Sequence, residues 1–171
     1  MPRRCVVDTN VAMTADGRNA AASAQCQAAS ATALQEVMRG GHLFVDADGL
    51  ILDEYIAALN VKGQPSLGRA FLTWFINNQW HPQRVSRVAI TSTPRGPTLF
   101  LELARPPDGV LYDPSDQKFL AVAAAHPARP PILQALDSKW WGWQSALGAI
   151  GVTIDFLCPG EIVAKHVEKG L

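Results

Sequence analysis

The chain is 171 residues long and 48% hydrophobic, and its 15 basic and 15 acidic residues cancel to a formal net charge of zero. That length suits one domain with a single core, and the charge balance excludes a protein held on nucleic acid or membrane by its overall charge, while leaving room for an enzyme that meets RNA through a local basic rim. No apolar run reaches the about 18 residues of a membrane span, and the opening Met1-Pro2-Arg3-Arg4-Cys5 lacks the apolar stretch of a signal peptide.

The first predicted element is a short apolar strand, Cys5-Val6-Val7, that runs into Asp8-Thr9-Asn10. An alanine-rich helix follows from about Asn19 to Arg39, ended by Gly40-Gly41. His42 to Val45 reads as a strand, and Asp46 or Asp48 caps the next helix, on which Leu52, Tyr55, Ile56 and Leu59 share a face. The helix from about Ser66 to Trp80 carries a similar stripe of Leu67, Ala70, Phe71, Trp74 and Phe75. Val85 to Ile90 reads as a strand, after which residues 91–113 form an irregular excursion rich in proline and glycine. Within it, Thr98 to Leu103 suits either a short strand or a short helix. A helix from Pro114 to about Ala125, a strand from Ile132 that ends in Asp137, a helix from Ser138 to Leu147, a strand from Val152 to Phe156 and a helix from Gly160 complete the pattern. There is no internal repeat. Strands separated by helices predict an α/β fold, a three-layer α/β/α sandwich around a central parallel sheet of four to five strands, with residues 1–171 as one domain.

Several acids call for attention. A carboxylate at the carboxyl end of a buried strand sits where open α/β sheets place their ligands, so Asp8 and Asp137 are candidates. Each also has a structural reading, Asp8 in a turn and Asp137 as a helix cap. Asp113-Pro114-Ser115-Asp116 reads as a helix start, with Asp113 as N-cap, Pro114 in first place and Asp116 bonding back from the third. In the mid-helix pair Asp53-Glu54, phase leaves open which acid faces a site: Asp53 borders the Leu52/Tyr55/Ile56/Leu59 stripe, and Glu54 shares a face with Ile51 and Ala58.

The order of these segments carries a resemblance. Val-Val-Asp-Thr-Asn-Val at 6–11, Leu-Asp-Glu-Tyr at 52–55, Asp-Pro-Ser-Asp-Gln-Lys-Phe-Leu-Ala-Val-Ala at 113–123 and an acid at 137 resemble the PIN domain. That family includes metal-dependent ribonucleases, among them the toxins of bacterial toxin–antitoxin pairs. The resemblance spans essentially the whole chain through a few short motifs. It implies that Asp8, Glu54, Asp116 and Asp137 are the catalytic and metal-holding acids, with Thr9, Asn10 and Asp113 in support. Many members place Thr-Gly or Thr-Asn before the fourth acid, where this chain has Ala135-Leu136 after Gln134.

The implied chemistry agrees with the residue types. Converging carboxylates repel one another and take up protons unless a cation compensates, and an all-oxygen donor set suits Mg²⁺ or Mn²⁺ better than zinc. The expectation is a metal-dependent endoribonuclease in which bound metal activates water for in-line attack, leaving a 5′-phosphate and a 3′-hydroxyl. Asp8 and Asp116 contribute most directly to the metal, and Glu54 and Asp137 orient water or complete a second site. RNA is the expected substrate, with an antitoxin protein as partner if the chain is a toxin, a homodimer as the default assembly, and no membrane. Arg18, Lys118 and Lys139 lie near the acidic motifs and are candidates for RNA phosphate. Trp140, Trp141 and Trp143 read as packing residues more readily than as base-stacking ones.

Other features predict little chemistry. His42, His81, His126 and His166 lack ligand spacing. Cys5, Cys26 and Cys158 are odd in number and far apart, which predicts no disulfide and no zinc site, and with them a reducing, cytoplasmic setting. A phosphatase of the haloacid dehalogenase type also opens on a strand-terminal Asp, but needs a second Asp where this chain has Asn10. The alternative within the same fold is a noncatalytic PIN module that binds RNA or a protein.

Overall fold

In the computed structural model, which describes residues 2–60, 62–63, 65–103 and 105–170, the opening strand β1 (Arg4–Val7) is the centre of a five-stranded parallel sheet. β2 (His42–Asp46) and then β3 (Val85–Val88) lie on one side of it, and β6 (Ile132–Gln134) and then β7 (Ile154–Phe156) on the other. Cys5 pairs with Leu43, and Val6 with Ile132. A strand with parallel neighbours on both sides and helices over both faces has no wet side, which is why Cys5-Val6-Val7 is an unbroken apolar run with no exposure.

The flanking helices are α1 (Thr9–Ala15), α2 (Ala24–Gly40), α3 (Leu50–Leu59), α4 (Leu67–Asn78), α5 (Gln117–Ala125), α6 (Ser138–Ala149) and α7 (Pro159–Glu168). α1 packs against α2, α3 and α4, α5 against β1, β2 and β6, and α6 against α7. The expected three-layer α/β/α sandwich is the observed architecture. Its core is aromatic, with Trp140, Tyr55, Phe44, Phe71 and Phe119 fully buried. Burial of Trp140 and Trp143 agrees with their reading as packing residues, and Trp141 lies 5.1 Å from Phe156 between ring centroids. Among the described residues no helix is long and apolar enough to cross a membrane.

Several elements differ from expectation for identifiable reasons. The first helix does not wait until Asn19: Asp8 caps α1 directly off β1, and Ser23 caps α2 by accepting from the Cys26 amide at 3.1 Å. The alanine-rich helix is therefore α2, which begins at Ala24 rather than near Asn19, and α1 is a separate helix ahead of it. α2 does end at the glycine pair, where a Cβ on Gly41 would lie 2.5 Å from the Arg3 carbonyl oxygen. The buried stripe of α3 is Ile51, Tyr55 and Leu59, while Ile56 is exposed. On α4, Gly68 and Leu72 are buried and Ala70 is exposed. The excursion folds into an antiparallel hairpin of β4 (Ser92–Thr93) and β5 (Gly96–Phe100), so its apolar stretch is a strand, packed on α5. β6 stops at Gln134 rather than continuing to Asp137.

The cysteine expectation is corrected. Cys26 and Cys158 form a disulfide with their Cα atoms 5.4 Å apart, and Cys5 is the free, buried thiol. Separation in sequence hid the pair, because the sheet brings the start of α2 beside the residue preceding α7. The absence of disulfides was also the basis for inferring a reducing compartment, and that basis falls with it. Glu161 on α7 accepts from the Ser23 amide at 3.1 Å beside the same junction.

The disulfide closes a loop across a sequence separation of 132 residues, and constraint of the unfolded chain grows with loop length. Replacing both Cys26 and Cys158 by Ala should lower stability by about 2–4 kcal/mol. Urea denaturation of the variant and of the oxidised wild type measures this, and a reductant should move the wild type toward the variant.

Candidate active site

The order in which strands are added reverses at β1: β2 is added on one side and β6 on the other. The loops leaving β1 and β6 therefore part at the carboxyl ends of the strands, where a crevice forms. Asp8 leaves β1 at this point and is buried. Its Oδ1 accepts from the Asn10 amide at 2.8 Å and its Oδ2 from Gln134 Nε2 at 2.7 Å. Gln134 is itself held, its Oε1 accepting from the Ala135 amide at 2.9 Å. Asn10 Oδ1 accepts from the Leu136 amide at 2.9 Å, so two side-chain bridges join the β1 loop to the β6 loop.

α3 brings Glu54 to the same end. The Tyr55 hydroxyl donates to the Val7 carbonyl, anchoring the helix to the last residue of β1. The Thr9 hydroxyl donates to Glu54 Oε1 at 2.6 Å, and Lys118 forms an ion pair with Glu54 Oε2. Asp53 is exposed, so of the two adjacent acids it is Glu54 that contacts Thr9 and Lys118.

The start of α5 departs from a capping box. Asp113 Oδ1 accepts from the Ser115 amide at 3.0 Å, forming a turn one step earlier, and Asp116 occupies the N-cap position without a side-chain cap bond. The Asp116 carboxylate is thus left for other partners. It meets Lys139, whose Nζ lies 2.7 Å from Asp113 Oδ2, 3.3 Å from Asp116 Oδ2 and 3.4 Å from Asp137 Oδ2. Asp137 caps α6, accepting from the Lys139 amide at 3.2 Å, and so fulfils its structural reading while also facing this lysine.

The electrostatics follow from burial and crowding. Burial, then the charges of Asp116 and Glu54, push the Asp8 carboxyl up to about 8 against the opposing bonds from Asn10 and Gln134. Burial raises Asp116 to about 6, with Asp137 and Asp113 adding to the rise and Lys139 opposing it. Asp113, near solvent, is held down at about 2 by its bonds from Lys139 and Ser115. Burial works against the Lys139 charge, yet Asp113, Asp116 and Asp137 outweigh it and raise its pKa.

All four sequence-predicted acids therefore stand at one end of the sheet, with Thr9 and Asn10 in direct support. Arg18 is placed differently: its guanidinium donates to the Ala58 carbonyl. Gln134 was missed, although a polar residue inside Ile132-Leu133-Gln134-Ala135-Leu136 was a visible signal. Asp46 is a useful contrast. It is also buried at a strand end, but its carboxylate accepts from the Leu50 and Ile51 amides, each at 2.8 Å, and is spent on capping α3.

Among the described residues no three His, Cys, Asp or Glu side chains are drawn closely enough together to enclose an ion. The donor chemistry nonetheless fits a hard divalent cation: every candidate ligand is a carboxylate, and the buried one lacks positive charge in its own hydrogen-bond shell. No family model, curated protein or solved structure matches the chain.

Asp8 at about 8 retains a proton that its unfolded counterpart releases near pH ~4. Its stabilising effect is complete below that lower value and is lost as pH rises through the folded one. Asp116 acts in the same direction up to about 6, while Asp113 at about 2 acts oppositely, losing its contribution only in strong acid. In EDTA, the melting temperature should fall from pH ~5 to ~8 by roughly 5 °C. Asp8→Asn, the shape of the neutral acid, should remove most of that slope in calorimetry.

Proposed function

We propose that the chain is a PIN-like, Mg²⁺- or Mn²⁺-dependent endoribonuclease that hydrolyses RNA phosphodiester bonds by water attack. The observation that supports this best is the gathering of Asp8, Glu54, Asp116 and Asp137 from four separate stretches of sequence at one end of the sheet, with Asp8 sensing the charges of Asp116 and Glu54.

In this reading Asp8 and Asp116 hold the metal most directly, and Glu54 and Asp137 complete the donor set or orient water. When bound, the ion supplies Lewis acidity and a more acidic water. The chain's own contribution is placement. Asn10 and Gln134 fix both Asp8 oxygens, Thr9 fixes one Glu54 oxygen, and the N-cap role of Asp137 fixes its carboxylate at the start of α6. Such pre-positioning lowers the reorganisation needed as charge develops on phosphate.

RNA as substrate goes with a cytoplasmic setting, in which a reducing pool opposes the Cys26–Cys158 bond. The finer form of the proposal makes the chain the toxin of a toxin–antitoxin pair, with an antitoxin protein as its partner, and takes the active form to be a homodimer.

Cleavage of end-labelled single-stranded RNA with Mg²⁺ or Mn²⁺ tests the reading. Activity should vanish in EDTA and fall by at least about 10²-fold in Asp8→Asn and Asp116→Asn. Asp53→Asn, at the exposed neighbour of Glu54, should retain it. Mn²⁺ binding without cleavage across several RNAs would favour the noncatalytic module instead.

A further inference from the structure

The most unusual grouping in the molecule is a single ammonium shared among three carboxylates. Lys139 Nζ is 2.7 Å from Asp113, 3.3 Å from Asp116 and 3.4 Å from Asp137. Its position is supported from several sides. The Lys139 amide caps onto Asp137, the ammonium lies 5.7 Å from the centroid of the Trp143 ring, and Trp143 is buried against Tyr112, the residue before Asp113. Across the site Lys118 holds Glu54 in a second ion pair.

We propose that Lys139 is a built-in counterion that keeps Asp116 and Asp137 together without metal, and that a divalent ion must displace it to bind. This rests on the preceding reading of the acids as metal ligands. Two cations cannot both take the same carboxylate oxygens at full strength, so ammonium and metal are competitors and their affinities are negatively coupled. Asp113 gives the ammonium somewhere to go. It is the nearest of the three acids, lies outside the proposed ligand set and is the most solvent-exposed, with its side chain 36% accessible against 13% for Asp116. Lys139 can therefore release Asp116 and Asp137 while retaining Asp113. It is a positioning residue, whose removal should have opposite effects on two measurable properties: the metal-free fold loses an ion-pair network, whereas the metal site loses a rival.

The experiment is Mn²⁺ titration by calorimetry, with parallel melting curves, on wild type, Lys139→Gln, Lys139→Arg and Asp116→Asn. Lys139→Gln should melt lower in EDTA yet bind Mn²⁺ roughly tenfold more tightly, with a correspondingly larger rise in melting temperature on adding Mn²⁺. Lys139→Arg, which keeps the charge, should remain near wild type. A residue that merely supported the fold would weaken Mn²⁺ binding when removed. Unchanged or weaker binding by folded Lys139→Gln therefore overturns the proposal. Where Lys139→Gln binds no more tightly while wild type binds Mn²⁺ and Asp116→Asn does not, the metal-site reading stands and only the inference falls; if neither wild type nor Lys139→Gln binds Mn²⁺, both are overturned. Should Lys139→Gln fail to fold, the Lys139 Cε–H signal in wild type decides, assigned by its loss in Lys139→Arg. A shift on Mg²⁺ addition supports displacement, and no shift when Mg²⁺ is bound overturns it.

Discussion

The arrangement depends on the burial of one carboxylate. β1 is central, apolar and covered on both faces, and the residue that follows it is an acid with almost no access to water. A carboxylate removed from water must be hydrogen-bonded, neutralised or paired. Asp8 has two good donors, but neither is charged, and its charged neighbours Asp116 and Glu54 have its own sign. Hydrogen bonding therefore offsets only part of the desolvation, and the raised pKa is the remainder. Asp46, buried at the end of β2, meets a different surrounding: two amides at the start of α3 donate to its two oxygens.

The rest of the acidic end is arranged around that deficit. Lys118 and Lys139 bring positive charge to Glu54 and to the Asp113/Asp116/Asp137 group, but among the described residues no ion pair reaches Asp8 itself. The cations thus sit at the rim, on the acids that have access to solvent, and the deepest acid keeps its proton instead. Lys139 and Asp113 are partly open to solvent, which limits what their pair adds to stability, so the larger effect of the lysine network is to hold the acids in place.

Much of this was legible in sequence, and for physical reasons. Apolar runs bounded by Asp8 and Asp137, alternating with helical segments, lead directly to a parallel sheet with acids at its carboxyl end. Asp53 and Glu54 could not be told apart because the expected stripe of Leu52, Tyr55, Ile56 and Leu59 is rotated from the observed one: Ile51, Tyr55 and Leu59 are buried and Ile56 is exposed, which leaves Glu54 facing Thr9 and Lys118. The capping box expected at Asp113 failed because the turn closes through Ser115, one step before the helix begins, which frees Asp116. Gln134, Lys118 and Lys139 acquire their roles only through contacts between distant segments. The same is true of the disulfide, since no local pattern reports that residues 26 and 158 meet.

That disulfide also lies on a physical path to the site. Cys158 precedes α7, and from α7 His166 Nδ1 lies 3.2 Å from the carbonyl oxygen of Ser138, the first residue of α6. Ser138 stands between Asp137 and Lys139, so α7 braces the short stretch that places an acid and its counterion. The β6 loop is fixed from the other side by Asn10 and Gln134. Asp137 is consequently held by contacts from both halves of the chain. Gln134 Oε1 accepts from the Asp137 amide at 3.4 Å, and the Asp137 carboxylate is itself held by the helix it caps.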